Sequence, residues 1–243
     1  HRLPVDPTPD TLSYYVTYMS HHIQPRSVGA YLSGIVNNLE PHYPHVRQAR
    51  NSLLVTRTLR GALRTLGRPM LRKEPILRND LERVLLELAH PLSHDDLLWI
   101  TQLHCGFYGL LRLGELVVPD EIASRDFTKI SLRTSVSISL NDFSFRIQRD
   151  KTDSRYEGNR VVVQRSFVGS DPFVLFTWYL LSRDSRFPLH PYLWVRWNGK
   201  SPTRSWFVRK MRAFFPKNVC GHSMRAGGAT SLAAAGVSPD RIR

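Results

Sequence analysis

Between residues 130 and 164 the spacing of apolar residues shifts from the helical period to near-alternation. That shift confines the chain to a mainly helical fold carrying one small antiparallel sheet. In "ISLRTSVSISL" the apolar positions are Ile130, Leu132, Val136, Ile138 and Leu140, which predicts a first strand. The turn-like Asn141-Asp142 follows, then a second alternation at Phe143, Phe145 and Ile147, and "NRVVVQ" supplies a third strand. The second and third strands are joined by "QRDKTDSRYEGN", a polar connection that carries Lys151.

Helical spacing governs the rest. "PTPDTLSYYVTYMSHH" offers Thr8 as N-cap and Pro9 at the first helical position, ahead of Leu12, Tyr15, Val16 and Met19. A second helix follows on Val28, Leu32, Ile35, Val36 and Leu39, and "HVRQARNSLLVTRTLRGALRTLG" predicts a third, ending at Gly67. These make a helical domain over residues 1–72. The basic, proline-bearing "RPMLRKEPILRND" reads as its linker to a second domain over 73–243. That second domain opens with helices near 79–90 and 93–111. After the strands it continues through "DPFVLFTWYLLSRD" and "SPTRSWFVRKMRAFF" to a closing small-residue stretch.

The closing stretch is "CGHSMRAGGATSLAAAGVSPDRIR". At the start of a helix His222 and Arg225 share nearly one face, beside unpaired backbone N–H groups and the positive end of the helix dipole, a ready phosphate site. Standing alone, an H-x-x-R is better explained by a capped helix with a surface arginine. "GLLRLGELVV" places Arg112 just after an apolar helix, with Glu115 three residues on to orient it; alone, that pair reads as a structural ion pair. Lys151 alone is a solvated lysine, with Lys129 and Lys200 as less well placed competitors.

Charge narrows the partner. Lys plus Arg number 34 against 20 Asp plus Glu, a formal charge of +14, which favours a polyanion and first of all nucleic acid. Arg50, Arg57, Arg60 and Arg64 fall on one side of the predicted third helix, and Arg26, Arg68, Arg72 and Lys73 extend the positive surface toward the linker. The same arginines would also suit a solvated face. Two cysteines, Cys105 and Cys220, are too few for a disulfide framework and favour an intracellular setting. No apolar run reaches the ~20 residues needed to span a bilayer.

Taken in order, Arg112 within "LRLGEL", Lys151 between two strands, and "HSMR" at 222–225 followed by "AGGATSLAAAG" resemble the tyrosine recombinase family, the phage-integrase-like enzymes that break and rejoin DNA. The style of "GHSMRAGGATSLAAAGV" looks like that of eukaryotic mobile-element members, which would imply a nuclear location. The resemblance covers about residues 75–243. The helical segment before it fits the family's core-binding domain, which with the catalytic domain clamps duplex DNA. It implies that Arg112 and Arg225 hold the scissile phosphate, that His222 donates a hydrogen bond or proton, and that Lys151 is general acid to the departing 5′-oxygen. Glu115 would support Arg112. Neither metal nor nucleotide is required, and self-association as a dimer or tetramer on DNA is implied.

The family carries a nucleophilic tyrosine beyond H-x-x-R. Here Tyr108, Tyr156, Tyr179 and Tyr192 all precede that motif, so the segment is expected to be a cleavage-incompetent excerpt of a longer protein. A noncatalytic DNA-binding protein on the same fold, or a type IB topoisomerase-like enzyme, would carry the same features. "GHSMR" also begins a G-x-S-x-G nucleophile elbow, but Arg225 replaces the second glycine and no histidine follows Ser223. A zinc site from Cys220, His222, Cys105 and His104 lacks paired ligand spacing.

Overall fold

Thr8 starts the first helix as its sequence requires. The Thr8 hydroxyl accepts from the Thr11 amide at 3.2 Å and Pro9 takes the first helical position of α1 (Pro9–His22). The structure is a computed structural model that describes residues 6–69, 73–148 and 158–242. It divides into two units, His1–Leu71 and Arg72–Arg243. In the first, α1 and α2 (Pro25–Leu39) bury Leu12, Val16, Val28 and Leu32 against Val55 of α4 (Leu53–Thr65).

The expected third helix is two helices. α3 (Val46–Arg50) stops at Asn51, and Ser52 adopts a non-helical backbone whose hydroxyl accepts from the Val55 amide at 3.4 Å to begin α4. Serine side chains compete with helix continuation by bonding nearby backbone, and here that competition breaks an otherwise periodic pattern.

The second unit is organised around one helix. After α5 (Arg78–Glu87), α6 (His94–Tyr108) buries every residue from Leu98 to Phe107, all round its circumference. It ends three residues earlier than the apolar run suggested. Leu110 has φ +52°, a left-handed turn that redirects the chain into the four-residue α7 (Leu113–Leu116).

The sheet has the order β1-β2-β3, wholly antiparallel. β2 (Asp142–Ile147) and β3 (Asn159–Gln164) pair Phe143 with Val163 and Phe145 with Val161, turning both phenylalanines inward. Phe143 stacks on Phe176 of α8 (Pro172–Arg186) at a centroid distance of 3.9 Å. The first strand is much shorter than its alternation suggested: only β1 (Ser137–Ile138) joins β2. Upstream, the Leu193 amide donates to Ser131 O at 2.9 Å and the Arg133 amide to Pro191 O at 2.8 Å. One alternating run therefore serves two different partners, with a 3-10 turn at Arg133–Ser135 between them.

α9 (Arg204–Phe214) adds Trp206, Phe207 and Met211 to the core, and α10 (Gly221–Ala234) packs on α6 before the short α11 (Pro239–Ile242). The packing is backbone-close. A Cβ at Gly227 would strike the Ile76 carbonyl oxygen, and one at Gly228 the Phe107 carbonyl oxygen. Buried Gly221, Met224, Gly227 and Gly228 thus form the inner face of α10, while His222 is exposed and Arg225 half-buried. Among the described residues no helix is long and apolar enough to cross a membrane.

Candidate functional site

Arg112 sits at the N-cap of α7, and Glu115 fixes it twice. One carboxylate oxygen, Oε2, accepts from the Arg112 backbone amide at 2.7 Å; the other, Oε1, takes Arg112 Nη1 at 3.1 Å. The first bond satisfies an orphan amide of the helix start, and the second aims the guanidinium. Glu115 keeps 13% side-chain exposure against 39% for Arg112, so the orienting group is sheltered and the cation faces outward. The far end of α7 is held by Gln102, whose Nε2 donates to Leu116 O at 2.6 Å.

α10 starts where the sequence placed it. The Ser223 hydroxyl accepts from the Cys220 amide at 3.0 Å, and the Ser223 amide donates to Cys220 O at 2.8 Å. Ser223 is fully buried in that capping role, which leaves no nucleophile elbow. His222 and Arg225 are the second and fifth residues of the helix. The start of α10 abuts α7: a Cβ built on Gly221 would lie 2.7 Å from Leu113 Cβ and 2.6 Å from its Cδ2. Leu113 follows Arg112 and Gly221 precedes His222, so one backbone-close contact sets the two halves of the motif at adjoining helix starts. Residues 73–76 strap the same end. The Ile76 amide donates to Ser223 O at 3.0 Å, the Glu74 amide to Asn218 O at 3.3 Å, and Lys73 Nζ to Lys217 O at 3.4 Å.

Lys151, Tyr156 and Arg72 lie outside the described residues. The stem of the β2–β3 hairpin places Arg146 directly opposite Arg160, both exposed, with Arg160 also donating to the Ser144 hydroxyl at 2.8 and 3.0 Å. Sequence reasoning passed over this basic pair, although its signal was present: both arginines occupy outward positions of alternating strands. Of the competing lysines, Lys129 pairs with Asp126 at 3.0 Å. The Thr128 hydroxyl and then Lys129 hold the Asp126 carboxyl down to about 2.

In the first unit Arg57, Arg60 and Arg64 are exposed on the side of α4 opposite Val55 and Leu59. Arg50 is not in line with them. It belongs to α3, is half-buried, and donates from Nη2 to the Ser33 hydroxyl at 2.9 Å, because the Asn51–Ser52 break changes the helical phase. Arg26, Arg68 and Lys73 are exposed in their own units.

Among the described residues no group of three or more His, Cys, Asp or Glu could hold a metal ion. His104 and Cys105 are core residues. Burial lowers the His104 imidazole to about 4 and pushes the Cys105 thiol up. Ile100 O lies 2.8 Å from His104 Nδ1, which must therefore carry the proton, leaving Nε2 to accept from the Ser170 hydroxyl at 2.7 Å.

No protein-family model matches the chain, and no curated protein matches it in sequence. Solved structures do match in fold. The Tn1549 transposon integrase in complex with circular intermediate DNA superposes with a TM-score of 0.60 at 15% identity, over 99% of this chain and 77% of that one. The same integrase in complex with transposon right end DNA gives the same values. XerH site-specific recombinase bound to palindromic difH substrate gives 0.50 at 12% identity, over 90% of this chain. The chain spans 62% and 64% of two XerH chains. The chain therefore has the integrase-like fold of these recombinases, mainly helical with a small antiparallel sheet.

Proposed function

We propose that this chain belongs to a tyrosine recombinase that cleaves and rejoins double-stranded DNA, and that it holds the scissile phosphate between Arg112 and Arg225. The observation that carries this reading is the Leu113–Gly221 contact, which sets the Glu115-oriented guanidinium beside the helix start bearing His222 and Arg225. Attack on a phosphodiester builds charge on the nonbridging oxygens. Two guanidiniums and an imidazole at a helix N-terminus stabilise that charge as it develops.

In this mechanism a tyrosine hydroxyl gives its proton to water as its oxygen bonds to phosphorus, the bond to the 5′-oxygen breaks, and Lys151 gives its proton to that leaving oxygen. His222 donates to a nonbridging oxygen. Arg26, Arg57, Arg60, Arg64, Arg68, Arg72 and Lys73 would contact flanking phosphates, and two or four copies would assemble on DNA. Neither Tyr108 nor Tyr179 would be that nucleophile: the Tyr108 hydroxyl donates to Ser170 O and the buried Tyr179 hydroxyl to Leu193 O.

The test is a suicide-substrate assay with the whole protein, on sites enriched from a random duplex pool. The expected product is a covalent 3′-phosphotyrosyl adduct. Arg112→Ala or Arg225→Ala should lose it by ~10²-fold or more while still binding the site. Tight site binding with no adduct from the unaltered protein would overturn the catalytic reading in favour of a DNA-binding protein on this fold.

A further inference from the structure

The outer face of the sheet carries one rung that works against the fold. Arg146 of β2 lies directly opposite Arg160 of β3, and both are exposed. Residues opposed in this way have Cβ atoms about 4.5–5.5 Å apart, and like charges there destabilise a sheet. The acid on the same face of β2 is Asp142, four residues from Arg146 and so roughly 14 Å away along the strand. The Arg146 backbone amide donates to the Ser135 hydroxyl at 3.2 Å, but its guanidinium has no hydrogen-bond or ion-pair partner among the described residues. Arg160 is held in place. Its Nε and Nη2 donate to the buried Ser144 hydroxyl at 3.0 and 2.8 Å, which leaves Nη1 unengaged by the described residues. Two guanidiniums side by side with no carboxylate between them make an anion site: a phosphate that bridges them turns repulsion into attraction, and the planar fork of arginine matches phosphate oxygens.

We propose that the Arg146–Arg160 rung grips one backbone phosphate of duplex DNA, other than the scissile phosphate. The identity of the ligand rests on the recombinase reading. The contact positions rather than reacts. β2 and β3 lead into the connection that carries Lys151, so a phosphate held on the rung fixes the base of that hairpin against the duplex.

The whole protein is titrated against a duplex enriched from a random pool, over a range of chloride concentrations. The double variant Arg146→Gln, Arg160→Gln should weaken binding on the order of tenfold at moderate salt. It should lower the log–log salt slope by about 0.9, the share of one phosphate, rather than the roughly 1.8 of two separate phosphates. Arg165→Gln removes a charge already paired with Asp171 at 3.0 Å and should leave the slope unchanged. In dilute chloride Arg146→Gln should melt no lower than the unaltered protein, because it removes a like-charged neighbour. A lower melting temperature would show that Arg146 supports the fold and would overturn the premise. Should the double variant fail to fold, Arg146→Gln alone carries the binding test, with an expected loss of about fivefold. An unchanged slope in the double variant, or a drop of about 1.8, refutes the shared phosphate. A thermal shift with inorganic phosphate that the substitutions abolish, beside an unchanged DNA slope, assigns the pair to free phosphate and refutes the duplex contact. The suicide-substrate assay separates the two proposals. An adduct with an unchanged slope sinks the rung and leaves the recombinase reading standing, whereas a lowered slope without any adduct sinks only the catalysis.

Discussion

Replacing Gly221 with alanine should damage catalysis far more than folding or DNA binding. The new Cβ would stand 2.7 Å from Leu113 Cβ, whereas carbon atoms pack at about 3.5–4.0 Å, so α7 and α10 must separate by about 1 Å. Overpacking of this kind costs about 1–3 kcal/mol, and alanine's better helix propensity returns up to about 1 kcal/mol. The net loss, at most about 3 kcal/mol, corresponds to a melting shift of at most about 12 °C for a unit of this size. Arg112 rides on α7 and His222 with Arg225 on α10, so the same displacement would open the proposed phosphate clamp, and a 1 Å misplacement costs on the order of 10²-fold in rate. The assay is the suicide-substrate reaction run beside a binding titration and a thermal melt. Leu113→Ala in the same chain should rescue little, because it removes the Cδ2 contact and leaves the Cβ contact. Cleavage and melting both equal to the unaltered protein would refute the reasoning, as would full rescue by Leu113→Ala.

Other outcomes follow from particular side chains. The His104 imidazole is lowered to about 4 in the fold and titrates near 6.5 when unfolded, so the unfolded chain binds the extra proton between those values. Stability is therefore full above pH 6.5 and falls as pH drops toward 4, by up to about 3 kcal/mol, and urea unfolding of His104→Gln should lack that share of the slope. Ser52→Ala removes the cap that starts α4 and should cost about 1 kcal/mol in chemical denaturation of the first unit. Duplex binding by residues 1–243 should weaken linearly in log–log salt titrations. Each of Arg57→Gln, Arg60→Gln and Arg64→Gln should reduce the slope by about 1, whereas Arg50→Gln should leave it unchanged, because Arg50 is tied to Ser33.

What could be read beforehand were features carried by neighbours in sequence. Thr8 and Pro9 announce α1, inward Phe143 and Phe145 announce β2, and the start of α10 follows from the glycine and small residues around His222. Reading failed where a local bond or a distant partner outweighed periodicity. The Ser52 hydroxyl broke a continuous helical pattern, residues 131–133 chose residues 191–193 over β2, and Leu110 turned left-handed to end α6 early. The site shows the same division. The Arg112–Glu115 pair was legible from its spacing. The contact that brings Arg112 to His222 and Arg225 was not, because nothing near Leu113 in the chain names Gly221 as its neighbour.

The face of α10 that meets the core is made of Gly221, Met224, Gly227 and Gly228, and neither His222 nor Arg225 takes part in it. Placement and reactivity are therefore separable in this helix. The side chains at 222 and 225 can be exchanged for a wide range of others while the platform beneath them holds its position, so this helix start could be reprogrammed without redesigning the protein under it.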